Sequence, residues 1–366
     1  MKKILTFCFI LTLLSNLNAF DFGGLIQSDT NLNYTDELVL SEILDTSLYV
    51  KCPLSKTGAT YITTEGIYRL QFNQDVIKHG LNIPLLKLNH ISKINGGSID
   101  LSAGRFPMID FTGKIFNQAV DGLFASYSSS LLDFSFFAGY TGLINKNFYH
   151  MIGEENYEER GNDLYSLALP YLVFSTSFSM PYILAKQSFI LDVWGNIGIQ
   201  NLKSNNIYGT LGLFGPIVGN LFYILNGSFN GRFNEQESLF GFLVSTDLSY
   251  SFSSIKTTVN AKASYASKDF FTISATNCLE NGTFWNDIMI AGLSASVKPI
   301  SKLIFNAESL VALKVSDMEY FGTQFLGTIN WQIVSDMAIS ANAIYFLAKD
   351  NTDSFFNFQI KGSISF

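Results

Sequence analysis

From Ile255 to the C-terminus, apolar and polar residues alternate through one segment after another. In "SIKTTVNAKASYAS", Ile255, Val259, Ala261, Ala263 and Tyr265 fall between Lys256, Thr258, Asn260, Lys262 and Ser264. "KLIFNAESLVALKV" places Leu303, Phe305, Ala307, Val311 and Leu313 opposite Lys302, Asn306, Glu308 and Lys314. "EYFGTQFLGTINWQI" places Phe321, Phe325, Ile329 and Trp331 opposite Gln324, Thr328 and Asn330. A period of two is the signature of a strand, whose successive side chains point to opposite faces. Earlier segments behave alike. Leu191 and Val193 oppose Asp192, Tyr223 and Phe229 oppose Asn226 and Arg232, and Phe134 and Phe136 oppose Asp133. The pattern weakens between Leu81 and Phe106, where the apolar phase slips, and a bulge near Gly104 is the expected cause.

The connections carry a second pattern. Read back from the C-terminus, the short "VSD", "KPIS", "SFSSI" and "GPIVGN" alternate with longer or more polar stretches, among them "KDFFTISATNCLENGTFWND" and "LINKNFYHMIGEENYEERGND". Short turns on one rim and long loops on the other suit a membrane barrel. The spacing predicts an all-β fold: a single transmembrane antiparallel β-barrel of about eighteen strands, within a range of about 14–18, with both termini on the short-turn rim. Short turns would then be periplasmic and long loops extracellular.

Composition favours that reading over a secreted or periplasmic all-β protein. Charged residues make up 14% of the chain, against about 25% in ordinary soluble domains. Aromatics reach 15%, with 34 Phe and 17 Tyr. The apolar face runs on from strand to strand, while the opposite face is too rich in Asn, Gln, Ser, Thr and charge to be buried dry in a sandwich. The formal net charge is −7 and no basic cluster occurs, so nucleic acid is not an expected partner.

The first twenty residues are laid out differently. Lys2 and Lys3 precede an apolar run from Ile4 to Leu14 and a polar stretch ending on Ala19. This is the layout of a secretory signal peptide, expected to span residues 1–19, with 20–366 forming the barrel. Of the remaining cysteines, Cys52 is expected near the short-turn rim and Cys278 in a long loop. An apolar band about 25 Å tall would separate them, so no bridge between them is expected.

The chain ends in "FFNFQIKGSISF". Its Phe356, Phe358, Ile360, Ile364 and Phe366 resemble the C-terminal assembly signal of bacterial outer-membrane β-barrel proteins. The resemblance implies location in the outer membrane of a diderm bacterium of the Gram-negative type. It also implies recognition by the barrel-assembly machinery and closure of the last strand on the first. A shorter segment, Gly104-Arg105 followed by Asp121-Gly122, resembles porin-like barrels.

A barrel of this size leaves an aqueous channel. The expected function is therefore passive diffusion of small hydrophilic solutes or ions. The alternative is an outer-membrane transporter for hydrophobic ligands of the fatty-acid-channel type. A barrel enzyme and a non-conducting structural barrel rank below both. By parity, Asp29, Asp45, Glu65, Arg69, Asp133, Asp192, Arg232, Asp247, Lys262, Glu308, Lys314 and Lys361 are expected to line the pore. The loop from Pro107 to Ala119, with Asp110 and Lys114, is one candidate constriction, and the loop from Leu143 to Asp163 is the other. No catalytic constellation is recognisable. His90 has no identifiable partner, and His150 with Glu154, Glu155, Glu158 and Glu159 reads as a solvated acidic loop. No cofactor or metal is expected. The residues neither require nor exclude a homo-oligomer.

Overall fold

The structure is a computed structural model that describes residues 20–35, 37–73, 76–149, 163–184, 186–199, 205–233, 238–274, 276–349 and 353–366. The stretch expected to be a signal peptide lies outside the described residues, as does the acidic loop around Glu154. The strands in chain order are β1 (Asp21–Tyr34), β2 (Leu38–Pro53), β3 (Thr60–Asn73), β4 (Val76–Ile94), β5 (Gly97–Ile109), β6 (Asn117–Ser129), β7 (Asp133–Tyr140), β8 (Tyr171–Leu184) and β9 (Gln187–Gly198). They continue with β10 (Asn205–Val218), β11 (Leu221–Phe233), β12 (Ser238–Phe252), β13 (Thr257–Ala266), β14 (Ile288–Ile300), β15 (Leu303–Lys314), β16 (Tyr320–Val334), β17 (Met337–Ala348) and β18 (Phe355–Ser365). Each pairs with its chain neighbours, and β1 pairs with β18, which closes an 18-stranded antiparallel sheet.

The closing seam runs from Leu25↔Ser365 to Tyr34↔Phe356 and continues one residue further. Gly24 and Phe366 exchange both backbone hydrogen bonds, at 2.9 and 3.0 Å. The Phe366 ring lies over Gly24, where a Cβ would come within 2.3 Å of it. The terminal aromatic thus covers the last pair of the ladder. Both ends of the ring of strands sit on the rim of the short turns 95–96, 219–220, 301–302 and 335–336. The described parts of the long connections 141–170 and 267–287 start from the other rim. Cys52 lies near the short-turn end of β2 and Cys278 in the connection 267–287. Outward-facing side chains form an exposed apolar surface that includes Leu123, Leu211, Phe229, Phe242, Phe325 and Ile360.

The wall is not uniform. β4 pairs with β5 only between Leu86↔Arg105 and Ile94↔Gly97, and β6 pairs with β7 only as far as Asp121↔Tyr140. β5 and β6 nevertheless stay paired with each other up to Ile109↔Asn117. Beyond the pair Arg105↔Asp121, which follows Gly104↔Gly122, this hairpin has left the wall. Gly104 has φ +120°, and a Cβ there would meet the Leu86 carbonyl oxygen at 2.1 Å, so the bend needs glycine. The freed edge of β4 is taken up by the β7–β8 connection. Leu81 donates to the Leu164 carbonyl at 2.9 Å, and Asn145 Nδ2 donates to the Leu81 carbonyl at 2.8 Å. Leaving such groups buried and unpaired would cost several kcal/mol each, on the order given by transfer energies.

Two expectations about phase are corrected. The register shift in the weak stretch lies in β4 at Ile83 and Pro84, between the pairs Glu65↔Leu85 and Ile67↔Asn82, whereas Gly104 stays in register with Lys87. Proline has no N–H to give to the ladder, which is why a bulge tolerates it inside a sheet. Phe321 does not share the face of Phe325. It is the extra residue between Ala312↔Gly322 and Leu313↔Tyr320, and its ring lies 6.0 Å from that of Phe346, on the opposite face.

The bend predicts an asymmetry between two glycines. Gly104→Val is expected to destabilise the barrel by about 1–3 kcal/mol, through strain at positive φ and the clash with Leu86. Gly327→Ala, with nothing within 4 Å of the added carbon, is expected to be near neutral. Urea unfolding in detergent, followed by tryptophan fluorescence, measures both. Equal stability of the two variants would refute the role of Gly104.

Candidate functional site: an inward hairpin and the inner wall

The tip of the β5–β6 hairpin is built around Asp110. Its Oδ1 accepts the amides of Ile115 and Phe116, both at 2.8 Å, and its Oδ2 accepts the Thr112 amide at 2.8 Å. Asp110, singled out as a constriction charge, is instead fully used in folding the loop. The loop itself spans 110–116, tighter than Pro107 to Ala119, because the strand pairing runs on to Ile109 and Asn117.

The tip then reaches strands far from its own. The Phe111 amide donates to Asp192 Oδ2 on β9 at 2.9 Å, and the same oxygen accepts Trp194 Nε1 at 2.9 Å. Phe116 stacks on Trp194 with centroids 4.9 Å apart. Gly212 on β10 leaves room for the Phe111 ring, which a Cβ would approach to 2.4 Å. Lys114 Nζ donates to Ser264 Oγ on β13 at 3.2 Å and lies over the Trp285 ring at 4.6 Å. The Ile273 amide donates to the Ile115 carbonyl at 2.8 Å, and Thr276 Oγ1 donates to the Lys114 carbonyl. Strands so far apart around a closed ring meet one hairpin only across its interior. The face that carries Asp192 and Ser264 is therefore the inner face.

Inside, the hairpin buries Phe106, Ile115, Phe116 and Val120 against Phe137, Tyr171, Trp194 and Tyr208. The hinge of this arrangement is Arg105. Its Nε and Nη2 bond both Asp121 oxygens at 2.9 and 2.8 Å, Nη1 donates to Tyr165 Oη at 2.9 Å, and Nη2 also reaches the Leu143 carbonyl at 2.8 Å. One guanidinium thus ties the bent hairpin to the β7–β8 connection that replaces it in the wall. That connection, the second candidate constriction, also sends Phe148 over Arg69 at 4.8 Å, and Tyr149 Oη accepts a hydrogen bond from Asn82 Nδ2 at 3.1 Å.

The other charges singled out by parity are spread over many strands, several of them as matched partners. Arg69 makes a two-pronged bond to Asp45, both contacts at 2.7 Å. Lys262 Nζ meets Glu308 Oε2 at 2.8 Å, and Asp247 stands directly opposite Lys262. Asp29 stands opposite Lys361 and accepts Gln359 Nε2 at 2.8 Å. Arg232 bonds Asn206 Oδ1 at 3.1 Å and lies over Phe271 at 3.7 Å. Lys314 lies 6.0 Å from the centroid of Phe321. Glu65 stands opposite Tyr49, and Asp133 opposite Ser128 and Ser179. These residues do not converge on one centre. His90 Nδ1 pairs with Thr60 Oγ1 at 2.8 Å. Among the described residues, no group of three or more His, Cys, Asp or Glu is placed to hold a metal.

Burial within the interior pulls the Lys114 ammonium down to about 8, against the opposing pull of Asp110 and Asp247, while Lys262 adds to the fall. Burial drives the neighbouring Cys278 thiol the other way, up to about 12. Lys114 should therefore lose its proton more than two pH units before an ordinary lysine at 10.5. Competitive labelling with trace acetic anhydride over the alkaline range is expected to give Lys114 a midpoint near 8. A midpoint at the ordinary value would contradict its enclosure.

No family model matches the sequence, and no curated protein sequence matches it. Solved structures do. Pseudomonas aeruginosa OccK5 (OpdH) superposes with a TM-score of 0.66 at 11% identity, over 94% of this chain and 98% of that one. A BenF-like porin from Pseudomonas fluorescens Pf-5 gives 0.65 at 8% identity, over 96% and 99%. The outer membrane protein opdK from Pseudomonas aeruginosa gives 0.61 at 8% identity, over 94% and 99%. The likeness is one of architecture, and it extends over nearly the whole length of both chains: this protein has the closed eighteen-stranded barrel fold of outer-membrane porins.

Proposed function

We propose that the chain is an outer-membrane channel through which small hydrophilic solutes or ions diffuse passively. The observation that carries this reading is the inner wall. It is lined by carboxamides, hydroxyls and paired charges, and it is narrowed by a hairpin that crosses the interior. A closed ladder leaves no strand edge for lipid to face, so the barrel can span a bilayer. An apolar ligand would find no continuous apolar lining along the wall of β17, β18 and β1, which disfavours the hydrophobic-ligand alternative. Transport needs no chemical step, and no catalytic role is part of the reading.

Export by residues 1–19 and insertion guided by Phe356, Phe358, Ile360, Ile364 and Phe366 through the barrel-assembly machinery complete the proposal, with the short turns facing the periplasm. Association with outer-membrane lipid follows from the outer apolar surface. Assembly as a homo-oligomer remains outside it.

Refolded protein in planar bilayers is expected to produce discrete, ohmic current steps, and proteoliposomes are expected to swell in small neutral solutes. A barrel that migrates as folded on unheated gels yet gives neither signal would refute the proposal.

A further inference from the structure

The interior is lopsided. The hairpin tip docks on the side of β9 to β13, and the apolar cluster it joins runs on along the loop ends of β14, β15 and β17 to Phe346, while further from that rim the wall of β16, β17, β18 and β1 carries a different chemistry. There the inner face reads across neighbouring strands as Thr328, Asn342, Gln359 and Asn31 in one row, and Asn330, Ser340, Lys361 and Asp29 in the next. The side chains are linked in sequence. Asn342 Nδ2 donates to Gln359 Oε1 at 2.8 Å, Gln359 Nε2 donates to Asp29 Oδ2 at 2.8 Å, and Asn357 Nδ2 donates to Asn31 Oδ1 at 2.7 Å. Each primary amide carries two donors and an acceptor with two lone pairs. A chain of single bonds fixes the orientation of these amides and leaves further donors and acceptors to turn towards a solute.

Where this wall reaches the loop rim, it opens into a vestibule of about 740 Å³ that includes Asn33 and Asn357. Its aromatic members are Tyr320, Phe346, Phe321 and Phe355. Phe346, only 1% exposed, holds the last two in place: Phe355 stacks on it at 5.8 Å and Phe321 meets it at 6.0 Å. Gly322 makes the arrangement feasible, since a Cβ there would meet the Phe346 ring at 2.4 Å. The bulge that turns Phe321 inward, against the phase of its strand, builds one half of this platform. Glu280, Asn281 and Asp353 add polar groups around the rings.

Rigid aromatic faces beside planar amides and carboxylates match one solute chemistry. The C–H face of a pyranose packs on a ring, and its hydroxyls take paired hydrogen bonds from Asn, Gln, Asp and Glu. An acidic solute would need an excess of cations, but the vestibule sets three carboxylates, Glu280, Glu319 and Asp353, against two lysines, Lys314 and Lys349, and several cations of the wall are held by carboxylates. Arg69 pairs with Asp45, Lys262 with Glu308, and Lys349 with Glu319 at the vestibule itself. A purely apolar solute would strip water from the amides and return no hydrogen bonds. We infer that this vestibule is a capture site for a neutral sugar, which packs on Phe321 and Phe355 and passes down the carboxamide wall of β17, β18 and β1. The inference rests on the channel reading and narrows its solute class.

Single-channel current in planar bilayers tests it with two probes of similar size, maltose and its aldonic acid maltobionate. Maltose is expected to interrupt the ion current saturably, with maltobionate requiring about tenfold more for the same effect. Phe355→Leu keeps apolar volume but removes the ring face, and should raise the half-blocking maltose concentration about three- to tenfold. Asn357→Leu should raise it as well. Phe325→Leu, on the outer face, should block like the unmodified protein. Conduction that maltose never interrupts, or that maltobionate interrupts more readily, would overturn the inference and leave the channel reading standing. So would maltose block that is unaltered in both Phe355→Leu and Asn357→Leu. Absence of any ion current would overturn the channel reading and this inference together.

Discussion

A closed sheet with an apolar outer surface has to pair every backbone N–H and C=O within itself, and the rest of this structure is arranged around that constraint. Closure of β1 on β18 satisfies it at the seam. The more demanding place is Gly104, where two strands leave the wall together. Their departure would strip partners from the upper part of β4, and the β7–β8 connection supplies them through Leu164 and Asn145. Arg105 couples the two events, because one side chain binds both the bent hairpin and the replacement segment. Its ion pair with Asp121 is nearly buried, with side chains 9% and 22% exposed. Losing one partner of such a pair typically costs about 3–5 kcal/mol. The bend and its patch therefore stand or fall as one unit.

The diverted hairpin turns an empty cylinder into a divided one. One side of the interior is packed like a protein core, with Phe116 stacked on Trp194 and Asp192 anchoring the hairpin tip. The other side keeps an open wall of amides and paired charges. Buried ion pairs contribute little net stability once desolvation is counted, but they hold polar side chains in fixed positions. A passage bounded by fixed, neutralised groups discriminates by shape and hydrogen bonding more than by field. On the proposed channel reading, solute choice would then lie in Asn31, Asn342, Asn357 and Gln359 and in the rings at the loop rim, with net charge a lesser influence.

The fold was legible in the sequence because alternation carries it. The strand faces of Tyr265, Phe305, Phe229 and Ile360 follow directly from counting by two, and the rims follow from the lengths of the connections. Parity fails where the backbone breaks its own period. Ile83 and Pro84 shift β4 by one residue, and Phe321 is an inserted residue whose apolar side chain gave no hint that it points inward. Arg105 has the parity of Leu101, which faces outward, so counting could not place it inside. The porin-like segment marked Gly104-Arg105 and Asp121-Gly122, but that the four residues pair with one another came only from the structure. Asp110 was legible as important but not in its role, since a carboxylate that folds a loop and one that meets a solute look alike in a sequence.

The central claim is that the β5–β6 hairpin lies across the interior and docks on β13. Zero-length carbodiimide coupling in a Ser264→Asp variant tests it directly, because Lys114 Nζ lies 3.2 Å from Ser264 Oγ. Mass spectrometry of the folded, detergent-solubilised barrel is expected to find the peptide containing Lys114 joined to the one containing position 264, and the link should vanish when the protein is unfolded before coupling. A folded barrel in which Lys114 couples only to carboxylates of the loop rim, or to none, would contradict the account.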